Sequence, residues 1–188
     1  MLGGLLRRRE MPVSMNTAVA MTGARGGDRV LVVGAAEPSL PAEITKVTGL
    51  SGHVIVADRA EGARKRVEAA AQRAGAFVEF EDTPPTNLPF PNDDFNIVVA
   101  NHRLSSLNDT DRVQCLVELH RVLKPGGRAV AVEGAARPGF LGILPGRAAP
   151  ISIADLQAAF ERAGWRTPRE LATKSGVLYL EALKPRST

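Results

Sequence analysis

The sequence predicts an α/β fold: a doubly wound, mostly parallel seven-stranded sheet with helices on both faces and an antiparallel hairpin at one edge. Three observations carry this. Short apolar, β-branched runs alternate with helical segments over five units, the pattern of parallel strands buried on both faces. Hydrophobic residues make up 44% of the 188 residues, enough for one full-sized core and too few residues for two comfortable domains. The last two strand candidates have no long helix between them, so they pair as a hairpin.

Taken in order, residues 29–34 (RVLVVG) form a short apolar run ending in glycine, hence a first buried strand. Ser39 can cap the next helix, Pro41 is tolerated in its first turn, and Gly49 and Gly52 end it. Residues 53–58 (HVIVAD) give a second strand, and residues 61–74 (EGARKRVEAAAQRA) give a helix stopped by Gly75. Residues 77–80 read as a shorter third strand. The prolines and polar turn-formers of residues 82–94 make that stretch a loop. Residues 95–100 (FNIVVA) are a fourth strand. Asn108 or Asp109 caps a helix reaching Lys124, with Val113, Leu116, Leu119 and Leu123 along one stripe. Pro125-Gly126-Gly127 is a sharp stop before a fifth strand at 128–133 (RAVAVE). A Gly/Pro-rich stretch fills 134–150. Ser152 with Asp155 is a capping signal ahead of Leu156, Ala159, Phe160 and Ala163, and strands at 167–172 and 177–183 close the fold.

Composition excludes several classes. No apolar run approaches the length of a membrane-spanning helix. The single cysteine, Cys115, excludes a disulfide scaffold, and His53, His102 and His120 sit at no metal-ligand spacing, so no metal is expected. The net charge is +4, but residues 1–29 hold five arginines against Glu10 and Asp28 and so carry most of it. The basicity belongs to a leader, and no specific nucleic-acid binding is predicted. The expected organisation is a basic, flexible leader over 1–26 and one domain over 27–188. The leader's arginines follow its short apolar stretch, the reverse of a secretory signal, so the protein is expected in the cytoplasm. An Arg-rich, acid-poor leader also suits an organelle transit peptide. Met11 and Met15 are later candidate starts.

In a doubly wound sheet, ligands sit at the carboxyl ends of the strands where strand order reverses. The site is therefore expected on the loops after Gly34, Asp58, Phe80, Ala100 and Glu133.

Several segments share a resemblance. Residues 88–99 (LPFPNDDFNIVV), 101–104 (NHRL), 119–127 (LHRVLKPGG) and 159–165 (AFERAGW) resemble, in this order and spacing, the class I S-adenosylmethionine-dependent methyltransferases, closest to their small-molecule type 11 branch. The likeness covers about residues 27–185 and implies a Rossmann-like methyltransferase fold with S-adenosylmethionine as cofactor. It implies a cofactor-facing set of Gly34, Ala36, Glu37, Asp58, Arg59, Asp82 and Asn101. Asp58 would accept hydrogen bonds from the ribose hydroxyls and Arg59 would lie along the adenine. Asp82, with Glu81 as rival, would meet the adenine amino group. His102, beside the transferred methyl, is the catalytic candidate, able to take a proton from an oxygen, nitrogen or carbon acid. His120 and Cys115, on the helix stripe and its flank, are expected to pack.

The chain departs from the family pattern in the first loop. Where the family reads V-L-D-x-G-x-G-x-G, residues 30–38 read VLVVGAAEP: Val32 replaces the acid, and Ala36 and Pro38 replace the second and third glycines. A lost charge-assisted contact to the methionine ammonium costs about 1.5–3 kcal/mol. Glu37 could substitute by turning inward. The expected function is methyl transfer to an unidentified, small apolar acceptor, with the acceptor or a partner protein met by the apolar Phe140, Leu141, Ile143 and Leu144. The alternative is a non-catalytic scaffold of the same fold that has lost its cofactor.

Overall fold

The structure, a computed structural model, describes residues 13–135 and 150–186. Its elements run α1 (Val13–Thr22), β1 (Arg29–Val33), α2 (Ser39–Thr48), β2 (His53–Ala57), α3 (Ala63–Ala74) and β3 (Glu79–Glu81). They continue with β4 (Phe95–Asn101), a single 3-10 turn (Leu104–Ser106), α4 (Asp109–Val122), β5 (Leu123–Gly134), α5 (Ile153–Arg162), β6 (Arg166–Lys174) and β7 (Val177–Leu183). The seven strands form one sheet in the order β3-β2-β1-β4-β5-β7-β6. The first five are parallel and β7 is antiparallel to both its neighbours. This is the predicted doubly wound sheet with its edge hairpin.

Burial on both faces explains the unbroken apolar runs. Val30, Leu31, Val32 and Val33 are all buried, alternating between two cores on opposite faces of the sheet. One core packs α4 and α5 through Leu116, Leu119, Leu156, Phe160 and Trp165. The other packs α1, α2 and α3 through Ala18, Leu40, Ile44 and Val67.

Several boundaries differ from the sequence reading. Residues 13–22, inside the stretch set apart as a leader, form α1, whose Ala18, Val19 and Thr22 are buried against the second core. Its apolar residues do not gather into one stripe, so periodicity does not reveal it. Pro38, not Ser39, occupies the cap position of α2; the Ser39 N–H is met instead by Glu37 Oε1 at 3.2 Å. The third strand begins at Glu79, and Phe77 lies exposed before it. Pro125-Gly126-Gly127 does not separate helix from strand. β5 starts at Leu123, which pairs with Phe95, and the ladder resumes at Ile97 with Arg128. The turn is an excursion inside the strand, with Gly126 at φ 79°. In α4, Val113 is only half-buried, and Cys115, Leu116, Leu119 and Val122 face the core.

The LPF segment and the LHRVLKPGG segment meet in space. Glu118 and Arg121 of α4 pair at 2.7 Å. Glu118 Oε2 accepts the Leu88 N–H at 2.8 Å, and the Arg121 guanidinium donates to the carbonyls of Leu88 and Phe90 at 3.0 and 2.8 Å. Leu88 is thereby buried, and Phe90 stands edge-on to Phe95 with ring centroids 5.1 Å apart. Lys184, just past β7, donates to the carbonyls of His120 and Leu123 and so closes the C-terminal end of α4.

Glu118→Ala would leave the Leu88 N–H without its acceptor and the Arg121 guanidinium without its charged partner, although Arg121 keeps the carbonyls of Leu88 and Phe90. The expected loss is about 2–4 kcal/mol in urea unfolding. Val117→Ala, on the exposed side of the same helix, should stay within about 0.5 kcal/mol of the parent.

Candidate functional site

The carboxyl ends of β1 to β5 lie along one edge of the sheet. The chain winds from β1 to β2 and β3 on one side and from β4 to β5 on the other, so the order reverses between β1 and β4. At that point the loop after β1 meets the end of β4. Gly34 has φ 97°, and a Cβ there would stand 2.6 Å from the Asn101 carbonyl oxygen and 3.0 Å from the Arg103 Cβ. Glycine is required at this position by close approach as well as by backbone angle.

Side chains staple the loop in place. Asp58, at the end of β2 and only 4% exposed, accepts the Ala35 N–H through Oδ2 at 2.8 Å and the Ala60 N–H through Oδ1 at 2.9 Å. Asn101 Nδ2 donates to the carbonyls of Gly34 and Glu37 at 3.2 and 3.0 Å. Asn101 Oδ1 is buried and has no hydrogen-bond partner.

Of the residues expected to face the cofactor, Gly34, Glu37, Asp58 and Asn101 come together here. Ala36 lies exposed on the loop. Glu37 lines a cavity of about 90 Å³ with Asn101, His102, Leu40 and Tyr179, and α1 supplies Met15 and Ala18 to its wall. His102 adopts φ 51°, uncommon for a side chain of its size, and its N–H donates to the Val132 carbonyl at 2.8 Å. Arg59 and Asp82 are exposed; the Asp58 N–H donates to the Glu81 carbonyl, so the β3 end sits beside Asp58. The apolar side chains proposed to meet an acceptor, Phe140, Leu141, Ile143 and Leu144, lie outside the described residues. His120 packs edge-on against Trp165 at 4.8 Å, and burial, then nearby Lys184, lowers its pKa. Cys115 is buried, and burial pushes its thiol up to about 12. Cys115 fills a core position and His120, half-buried, packs at its margin. Among the described residues no cluster of three or more potential metal ligands exists, and no helix is long and apolar enough to cross a membrane.

Two residues here escaped the sequence reading. Arg103 follows Asn101 by two positions, and its guanidinium crosses the β1 loop to within 3.9 Å of Asp58 Oδ1. Glu133, at the end of β5, is fully buried beneath the loop that carries His102 and Arg103. It accepts the Leu104 N–H at 2.8 Å, the Ser105 N–H at 3.3 Å and the Ser105 hydroxyl at 2.7 Å. A lone glutamate at the end of an apolar strand was the only signal for it.

The sequence model of the family described as "Methyltransferase domain" matches residues 30–127, from β1 through the turn in β5. The chain belongs to the methyltransferase domain family. Among curated relatives, the "Ubiquinone/menaquinone biosynthesis C-methyltransferase UbiE" of Vibrio vulnificus (strain YJ016) is 34% identical over 114 residues, covering 60% of this chain and 43% of that protein. The chain thus matches less than half the length of that relative. A SAM-dependent methyltransferase from Aquifex aeolicus superposes with a TM-score of 0.75 at 19% identity, covering 90% of this chain and 88% of the other. The [4+2]-cyclase SpnF also superposes at 0.75, with 16% identity over 93% and 80% of the two chains. At these identities the structural matches speak for the fold of the methyltransferase domain alone.

Burial pushes the Glu133 carboxyl up to about 7, against the hydrogen bonds from Ser105 and from the backbone of Leu104, Ser105 and Arg103 that favour its charge. An unfolded glutamate releases its proton near 4.5, so the folded domain holds one extra proton between pH 4.5 and about 7. The resulting stability is complete below the lower value, falls through the window and is lost above the upper one, on the order of 3 kcal/mol in all. Between pH 5 and 8 the parent Tm should fall by about 5–10 °C more than that of Glu133→Gln, in which this proton is absent.

Proposed function

We propose that this methyltransferase domain binds S-adenosylmethionine in the crevice between β1 and β4 and passes the methyl group to a small apolar acceptor. The observation that supports this most directly is the meeting of Gly34, Asp58 and Asn101 at the switch point. The donors and acceptors present suit a nucleoside. A carboxylate has about four acceptor positions, and the amides of Ala35 and Ala60 use two of the four on Asp58. The others can take ribose hydroxyls. Asn101 Oδ1, buried and unpartnered, is an acceptor in want of a donor. Arg59 and the Glu81–Asp82 corner lie where the adenine end would reach. Val32 is fully buried in β1 and adds no charge, and Glu37 stands on the cavity wall in its place.

When bound, the cofactor supplies a methyl group on a positively charged sulfur that leaves readily. The chain's task is alignment, exclusion of water and removal of a proton. The stapled loop provides alignment. Met15, Ala18 and Leu40 keep the cavity wall apolar. In this reading His102, on the cavity wall, takes the proton that the acceptor atom loses. The names of the curated relatives make a quinol ring carbon the first acceptor to try.

Calorimetry and thermal unfolding with S-adenosylhomocysteine test the reading. At about 100 times Kd the ligand should add about 2.7 kcal/mol, a Tm rise of roughly 5–10 °C. Asp58→Asn should weaken binding at least tenfold, and His120→Phe, which keeps the ring contact with Trp165, should leave it unchanged. Millimolar ligand with neither heat nor shift would sink the cofactor assignment. His102→Gly should keep Tm within a few degrees, because glycine accepts the positive φ. It should cut methyl transfer to a demethylated quinol about 100-fold or more, the worth of a general base. Unchanged turnover would remove His102 from the chemistry.

A further inference from the structure

Arg103 is a long cation that the fold lays over the switch point, and the cofactor reading leaves it unused. It starts beyond the end of β4, and its partner Asp58 stands beyond the end of β2. Those two strands flank β1, so they lie about 10 Å apart. To reach Asp58 the side chain must run over the loop that follows β1. Its Cβ does lie close above Gly34.

The pair is loosely made. Nη1 stands 3.9 Å from Oδ1, beyond hydrogen-bond range, and Nε is buried with no acceptor. The Asp58 side chain is 5% exposed and that of Arg103 is 23% exposed. The backbone beneath is firm: the 3-10 turn that follows is held by Glu133, and the Arg103 carbonyl accepts the N–H and hydroxyl of Ser106 at 3.1 and 2.7 Å. A loosely held side chain on a well-bonded backbone has the makings of a latch. A buried donor left without an acceptor costs free energy, which lowers the cost of moving the side chain outward.

We propose that Arg103 is a latch across the cofactor crevice: its guanidinium occupies the place at Asp58 that ribose hydroxyls would take, and ligand enters only when it swings out. The inference rests on the cofactor reading above and deepens it, since it makes Arg103 the residue that sets affinity for the adenosine ligand. Ligand-free protein is held closed, and the apparent affinity is reduced by the fraction of time the latch is shut.

Titration calorimetry with S-adenosylhomocysteine on the full chain, parent against Arg103→Ala, tests this, with Arg103→Met as a second variant that keeps the apolar stem and removes the charge. Both variants should bind at least fivefold more tightly than the parent, and their ligand-induced Tm rise should be larger although their ligand-free Tm is equal or lower. A merely structural arginine would give weaker binding on removal, and that result, or equal affinity in all three proteins, would overturn the latch while leaving the cofactor reading intact. Absence of binding in all three would overturn both. Tighter binding in Arg103→Ala alone would assign the block to the length of the side chain, and tighter binding in both to its charge on Asp58; each supports the latch.

Discussion

The Asp58 carboxylate is the constraint on which the site depends. It stands just beyond the end of β2, it is buried, and its two oxygens hold the Ala35 amide of the β1 loop and the turn that leads into α3. A buried carboxylate without such partners would give up its charge or unfold its surroundings. With them it ties the end of β2 and the turn just after it to the β1 loop, 23 residues earlier in sequence. Asn101 does the complementary work from β4, donating to carbonyls on the same loop. Ala36 and Pro38 stand where glycines would leave the loop freer, and these side-chain ties fix its ends. Gly34 alone remains glycine for a reason of space, because the Asn101 carbonyl passes directly over it.

The segments that resemble the family best are not those nearest the chemistry. LPF and LHRVLKPGG are two halves of one clamp, in which Glu118 and Arg121 hold the Leu88–Phe90 backbone against α4. That clamp plugs the amino-terminal half of β4 with Leu88 and Phe90 and so fixes where the strand's other end delivers Asn101. The motif reports packing, and packing reports the fold. The superposition on a [4+2]-cyclase makes the same point from outside: at 16% identity the backbone reports the fold and does not name a reaction.

Two charged groups beneath and across the crevice give the site properties that its outline does not. Glu133 is buried where its charge is costly, and it pins the turn after β4 through backbone amides. Arg103 leaves that pinned turn and crosses to Asp58. A well-bonded backbone and a loosely paired side chain thus stand next to each other at the carboxyl ends of the strands.

The sequence by itself determined the sheet, its winding and the edge on which the site lies. Continuous β-branched runs such as 30–33 demand burial on both faces, and the glycines and prolines between them leave few ways to connect the strands. It also placed Asp58, Asn101 and His102, because strand ends can be read from where apolar runs stop. It did not yield α1, whose apolar residues form no stripe, and it put the start of β5 five residues late, because the Pro125-Gly126-Gly127 turn is an excursion that only the pairing of Leu123 with Phe95 exposes. Nor did it yield the use of Asp58's oxygens, the burial of Glu133 or the reach of Arg103. Those depend on which strand lies beside which, and a side chain's partners across a sheet are set by strand order and by distance in space, which a linear pattern of residues does not carry.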